Sequence, residues 1–348
     1  IKFEDMIEKF KKGIRNSIYK KRSKTARALS SKIKINNKLK YHIYSFGNKN
    51  PYKKFYVIQR YKGGGMFSNL VYVIHHIKIA LEMDCIPIID MDNFPTKYNE
   101  KKKFKSTSNA WEYYFKPINN FKLEDVYNSK FVIIVDGKTR KNKEFDSFNN
   151  LNNQHFKIFK KYIKIKKDIL SNAHKFEIDN FYKKKVLGVH FRGTDMKTQE
   201  RHPYPATFKQ IVSYIDSELK NNKYDLIFLV TEELDYLYKL KSRYKEKICY
   251  YNSFRSNKSD IFDNNRKNHR YLIGRENIID MLLLSKTRSI ICTNSNMADA
   301  SNFFSRDKKI IIKIDNGYNS SNILFAQVNW YIKKLMPEFL GGFKLSKR

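Results

Sequence analysis

Cysteine is scarce in this chain. Three occur in 348 residues, Cys85, Cys249 and Cys292, each inside an apolar run and without metal-ligand spacing. That pattern predicts buried free thiols in a reducing compartment rather than a disulfide framework. Long apolar runs are missing too: none approaches the ~20 residues of a membrane span, and no signal-peptide pattern opens the sequence. The expected location is cytoplasmic, peripheral on the inner face of the membrane where it meets one. Acidic residues are the third deficit, 34 against 70 Lys and Arg, for a net charge of +36. Part of this belongs to a Lys-, Asn-, Ile- and Tyr-rich composition of the kind AT-rich genomes produce. The excess still implies an anionic partner: nucleic acid, an acidic membrane surface or a phosphorylated substrate. No Gly-Lys-Ser/Thr follows the glycines of KGGGMFSN, so a P-loop is excluded, and no RNA-binding signature is present.

The length suits two domains, and the apolar content is enough for real cores. From Lys9 to Lys40 there are thirteen Lys or Arg residues and no acidic one. Phe3, Ile7, Phe10, Ile14 and Ile18 recur at helical spacing, as in a basic amphipathic helix on an anionic bilayer or one packed on the protein body. Residues 1–53 therefore read as a basic N-terminal arm. From Lys54 the chain alternates short β-branched runs with helices. KFYVIQRY, CIPIID and FVIIVD are strands, with the helix FSNLVYVIHHIKIALEMD after the first. A second block repeats the alternation through VLGVHF, DLIFLV, KICYYN, RSIICTN and KIIIKID. Such patterns imply parallel sheets covered on both faces. The expected fold class is α/β, with two Rossmann-like domains facing a central cleft: an acceptor-side domain at 54–165, a nucleotide-binding domain at 166–325, and a helix and basic tail at 326–348.

Ligands of open parallel sheets bind beyond the carboxyl ends of the strands, and polar residues gather there. Arg192, Thr194 and Asp195 follow VLGVHF, with His190 just before. Thr231, Glu232 and Glu233 follow DLIFLV. Asn294, Ser295 and Asn296 follow RSIICT and lead into a helix whose first amides suit an anion, an ordinary cap being the other reading. Asp280 lies in the helix before that strand. Asp90 and Asp92 in IIDMDN match the weak D-x-D pattern of a divalent-metal site. His75 and His76 sit mid-helix, one expected to pack and the other to reach the cleft.

GVHFRGTD (Gly188 to Asp195) resembles the first motif of α-1,6-fucosyltransferases, the family of the rhizobial chitooligosaccharide and eukaryotic core enzymes, with protein O-fucosyltransferases as more distant relatives. FLVTEE, GRENIIDMLLLSKTRSIICTNSN, GGGMFSNLVYVIHHIKIA and NAWEYYFKPI resemble further segments of that family, in its order. The resemblance implies a GT-B-like fold and an inverting, metal-independent transfer of a sugar, L-fucose first, from a GDP-sugar to a hydroxyl of a bacterial surface glycan, with no cofactor beyond the donor. It assigns Arg192 to the departing diphosphate and Glu200, ten residues beyond His190, to the general base. It assigns His190, Thr194, Asp195, Glu232, Ser295, Asn296 and the turn glycines Gly63 and Gly65 to the donor, and Asp280 to guanine. The D-x-D strand falls in the acceptor-side domain, so no metal is expected. The sequence departs from the family where Gly193 replaces a second arginine and Met196 a lysine, with Lys197 positioned to compensate. Those departures leave another GDP-linked sugar, such as a heptose, as the alternative donor. The charge alone would suit a nucleic-acid-binding protein.

Overall fold

The computed structural model describes residues 27–28, 33–35, 39–60, 63–135, 145, 147–257, 261–305 and 309–345. They form two compact units. The first holds the described residues up to Lys166 together with Arg266–Gly274, and the second holds Lys167–Asn265 and the residues from Arg275 onward. The amphipathic segment expected before residue 20 lies outside the described residues.

The first unit is built on strands β1 (Arg27–Ala28), β2 (Ile33–Ile35), β3 (Leu39–Ser45), β4 (Lys49–Gln59), β5 (Ile86–Asp90) and β6 (Ser129–Val135), in the order β1-β3-β6-β4-β5 with β2 beside β3. β4 pairs in parallel with β5 and β6, whereas β3 runs antiparallel to β6. Parallel sheet was expected here. The antiparallel edge comes from Leu39–Ser45, a stretch assigned from sequence to the basic arm. β4 explains the layering. Its lysine-rich first half is exposed, while Phe55–Gln59 is buried throughout, as a strand covered on both faces must be. Phe55, Val57, Ile88, Val132 and Ile134 form one core with Val126 and Tyr127. The helix Met66–Glu82 buries most of its length, including His75 and His76.

The second unit contains β7 (Val186–His190), β8 (Leu226–Val230), β9 (Ile248–Cys249), β10 (Ser289–Cys292) and β11 (Ile310–Lys313). All neighbours are parallel, in the order β11-β10-β7-β8-β9. Counted from the unit's own first strand and read from β9, this is 3-2-1-4-5, the doubly wound arrangement. Alternation along β7 gives each face its partners. Leu187, Val189 and Phe191 join the core made with Ile211, Ile215, Leu237 and Leu240 of the helices Phe208–Asn221 and Leu234–Tyr244. Val186, Gly188 and His190 point to the other face. There a Cβ on Gly188 would lie 2.7 Å from Thr287 Oγ1 and 3.1 Å from Leu284 Cδ2, so glycine lets the end of the helix His269–Leu284 close on the sheet. His190 therefore shares a face with the helix that carries Asp280. Among the described residues no helix is long and apolar enough to cross a membrane.

Candidate active site

A sheet of order 3-2-1-4-5 has its topological switch between its first and fourth strands, here β7 and β10, and in such sheets ligands bind beyond the carboxyl ends of those strands. His190 and Cys292 are register partners at those ends. The polar segments picked out from the sequence thus converge where the topology provides room.

At the end of β7 the chain leaves the sheet through Phe191, whose ring stacks on Tyr236 at 3.8 Å. Arg192 turns outward, and its Nε donates to Glu232 Oε1 at 3.3 Å. The Thr194 hydroxyl donates to the same carboxylate oxygen. Glu232, expected as a donor ligand, therefore holds Arg192 and Thr194 together beyond the ends of β7 and β8. Asp195 opens the short turn Asp195–Lys197. His190 is buried, and burial followed by the nearby Arg192 charge pushes its pKa down to about 3, so the ring is neutral near pH 7. Its Nδ1 is buried without a hydrogen-bond partner among the described residues.

Gly193 and Lys197 correct one expectation. Lys197 was positioned by sequence to replace a missing phosphate-facing cation. Instead its Nζ donates to Glu233 Oε1 at 2.7 Å in a pair nearly closed to solvent, and lies over the rings of Tyr236 and Trp330 at 4.9 and 5.1 Å. Burial raises the Glu233 pKa and the Lys197 contact opposes it. This pair fills the space beside residue 193. A Cβ there would stand 2.4 Å from Glu233 Oε1, so any larger residue has to displace that carboxylate.

A second cluster surrounds Asp280. Its Oδ2 accepts from Ser253 Oγ at 2.8 Å, while Oδ1 is buried with no partner among the described residues. Burial raises this carboxyl to about pKa 7, opposed by the charge of Arg255 and the Ser253 hydrogen bond. Arg255 is anchored through Nη1 to Ser253 O at 2.8 Å and Nη2 to Tyr251 O at 2.9 Å. Its guanidinium lies over the Tyr250 ring at 5.0 Å, and Nε is buried without a partner among the described residues. One turn before Asp280, Glu276 accepts from Phe254 N at 2.9 Å and fixes the loop. Ser256 N donates to Glu232 O at 2.9 Å, tying that loop to the end of β8. Sequence reasoning missed Ser253, Arg255 and Glu276. The available signal was that Ser253 and Arg255 follow β9, at the same sheet end as the other clusters.

Ser295 caps the helix Asn296–Phe304, its hydroxyl accepting from Met297 N at 3.2 Å, with Asn296 as the first helical residue. Glu200 is exposed. Its loop is pinned by Arg201 N to Ser320 O at 3.0 Å and Tyr204 N to Gly317 O at 2.9 Å. Gly63 and Gly65 belong to the first unit, where Gly65 precedes the helix Met66–Glu82. Both His75 and His76 are buried there, so neither matches the expectation of a histidine reaching the cleft. Asp90 of the D-x-D string is wholly buried. It accepts from Tyr127 Oη at 2.7 Å, Asn93 N at 2.9 Å and Asn93 Nδ2 at 3.0 Å, the work of a strand-end turn.

Two α/β units, one of them doubly wound with its polar groups at the switch point, make a GT-B-type architecture. The chain is similar in structure to the NodZ alpha-1,6-fucosyltransferase co-crystallised with GDP, at 15% identity over 76% of this chain and 96% of that one, with a TM-score of 0.52. It is likewise similar to fucosyltransferase NodZ from Bradyrhizobium, at 16% identity, 76% and 96% coverage and a TM-score of 0.50. A POFUT1 structure in complex with GDP-fucose aligns over 47% of this chain and 50% of its own, at 9% identity and a TM-score of 0.30, too low to establish a shared fold. No family model and no curated protein matches the sequence. At these identities the likeness is one of fold, and it falls on the enzymes that the motifs resemble.

Proposed function

We propose that this protein is a glycosyltransferase that moves a sugar, L-fucose first, from a GDP-sugar to a hydroxyl of a surface glycan, with inversion and without a metal. The observation that carries this reading is the Asp280 cluster. A buried carboxylate with one oxygen unused suits the paired N1–H and N2 donors of guanine, and an unsatisfied acceptor in that position is costly unless a ligand meets it. The chemistry follows from the strand ends. The acceptor hydroxyl attacks the anomeric carbon as the bond to the β-phosphate oxygen breaks. Arg192, oriented by Glu232, stabilises the charge gathering on departing GDP. Glu200 takes the hydroxyl proton, and its exposure suits a base that meets a solvent-borne acceptor. His190, Thr194, Asp195, Ser295 and Asn296 line the donor side, and the turn at Gly63 and Gly65 lets backbone approach a ligand. The enzyme works at the cytoplasmic face of the membrane, with the basic residues 1–40 toward anionic lipid.

A second donor is favoured by one observation. Where the family has a further arginine, Gly193 stands against the Lys197–Glu233 pair, which alters the phosphate surroundings and suits another GDP-linked sugar such as a heptose. Calorimetry with GDP, UDP, GDP-fucose and other GDP-sugars, with and without EDTA, tests both readings. GDP is expected to bind far more tightly than UDP, unaffected by EDTA. Failure of both GDP and GDP-fucose to bind would remove the proposal. Nucleic acid binding that falls steeply with salt would then take its place.

A further inference from the structure

The helix Ile323–Leu335 packs on the second unit by one side only. Ala326 and Trp330 are buried, and Trp330 Nε1 donates to Pro205 O at 2.9 Å. Asn322 caps the start, accepting from Leu324 N and Phe325 N. The opposite side is apolar and uncovered among the described residues. Leu324, Val328, Tyr331 and Leu335 recur at steps of three and four and so stack on one face, with Leu324 at 76% and Leu335 at 83% exposure. Beyond the helix, Phe339 is also exposed, at 85%. Soluble proteins rarely leave such a contiguous apolar surface without a partner.

Charge identifies the partner. Residues 333–348 carry five Lys or Arg against the single acidic Glu338. Lys334 is exposed, and the Lys344 side chain, 79% exposed, stands 4.0 Å from the likewise exposed Glu338. A second copy would itself carry a net charge of +36, of the same sign, whereas an anionic bilayer offers both a complementary headgroup layer and an apolar interior. An uncovered apolar stripe with lysines beside it is the arrangement of a helix lying in the plane of the headgroup layer.

We propose that the face formed by Leu324, Val328, Tyr331, Leu335 and Phe339 is a docking surface for anionic lipid bilayers. It is separate from the basic arm and independent of the transferase reading. Trp330 ties the helix to Pro205 and Lys197 lies over its ring, so the docked surface is joined directly to the unit that holds Arg192.

The test uses the full chain and vesicles of phosphatidylcholine with or without phosphatidylglycerol. An F339W variant reports the contact directly, since the native Trp111 and Trp330 are both buried. Its emission should shift to the blue and be quenched by acyl-chain-brominated lipid in anionic vesicles, and not in neutral ones. The triple variant L324Q/L335Q/F339Q, changed only at exposed positions, should bind anionic vesicles at least about tenfold more weakly than the unaltered protein. Three results would overturn the proposal. The first is failure of the protein to sediment with anionic vesicles. The second is sedimentation with F339W emission unchanged, which leaves the arm alone as the binder. The third is a dimer in sedimentation velocity that the triple variant dissolves while vesicle binding is retained, which makes a second copy the occupant.

Discussion

Replacing Asp280 with asparagine removes a buried charge while keeping the side chain's shape. Burial lifts this carboxyl from 3.8 to about 7, against the pull of Arg255 and Ser253. At about 1.4 kcal/mol per tenfold change in proton affinity, keeping Asp280 ionised in the folded protein costs about 4 kcal/mol relative to the unfolded chain. The folded state binds the proton more tightly, so the stabilising contribution is complete below about pH 4 and is lost as pH rises through about 7. Urea unfolding between about pH 5 and about pH 8 should therefore show the native protein losing stability with rising pH, and D280N should flatten that slope. Binding of GDP runs the opposite way. If guanine's donors require the carboxylate, affinity should rise about tenfold from about pH 6 to about pH 8, with release of up to one proton per GDP. The β-phosphate of GDP also titrates near pH 6, so the signal is the difference between native protein and D280N. Inosine diphosphate, which lacks the 2-amino group, should bind the native protein more weakly and D280N with no such penalty. Equal pH slopes for the two proteins, in both stability and affinity, would refute the assignment of this carboxyl to either effect.

Three further predictions concern the end of β7. R192A should lower kcat by about 10²–10³-fold, since the guanidinium held by Glu232 to meet the leaving diphosphate is gone; unchanged turnover would remove the central step of the proposed reaction. E200Q should lower kcat by about 10²–10⁴-fold while GDP affinity, measured by calorimetry, stays the same; full turnover would place the base elsewhere. G193A should lower stability by about 1–3 kcal/mol in thermal or urea unfolding, because its Cβ meets Glu233 Oε1 at 2.4 Å; a neutral effect would mean that the Lys197–Glu233 pair yields readily.

The second unit was largely legible because each of β7, β8 and β10 is a short, nearly unbroken apolar run, the mark of a strand buried on both faces, and the edge strand β11 is another apolar run. Polar residues following those runs announced Arg192, Glu232 and Ser295. β3 was hidden because Leu39, Tyr41 and Ile43 alternate with Lys40, His42 and Tyr44 inside a lysine-rich stretch, so composition masked a period of two. The Asp280 surroundings were half legible. A carboxylate in an apolar helix stands out, but Ser253 and Arg255 reach it through a loop with no periodicity, and only tertiary packing brings that loop to the helix that carries Glu276 and Asp280. Lys197 was misjudged for a related reason. Nearness in sequence says where a cation starts, whereas Glu233, 36 residues away, decides where it ends.

The cramped space at Gly193 also constrains how this chain can change. An arginine introduced there alone, as in the motif it resembles, would have to displace the Glu233 carboxylate from Lys197 before gaining any contact with phosphate. Altering Glu233 alone would leave Lys197 buried without its counter-charge. Either single step costs stability, so positions 193, 197 and 233 behave as one heritable block: a viable route to the two-arginine form has to pass through coordinated replacement, and mutational scanning should find sign epistasis among these three sites that neither one reveals alone.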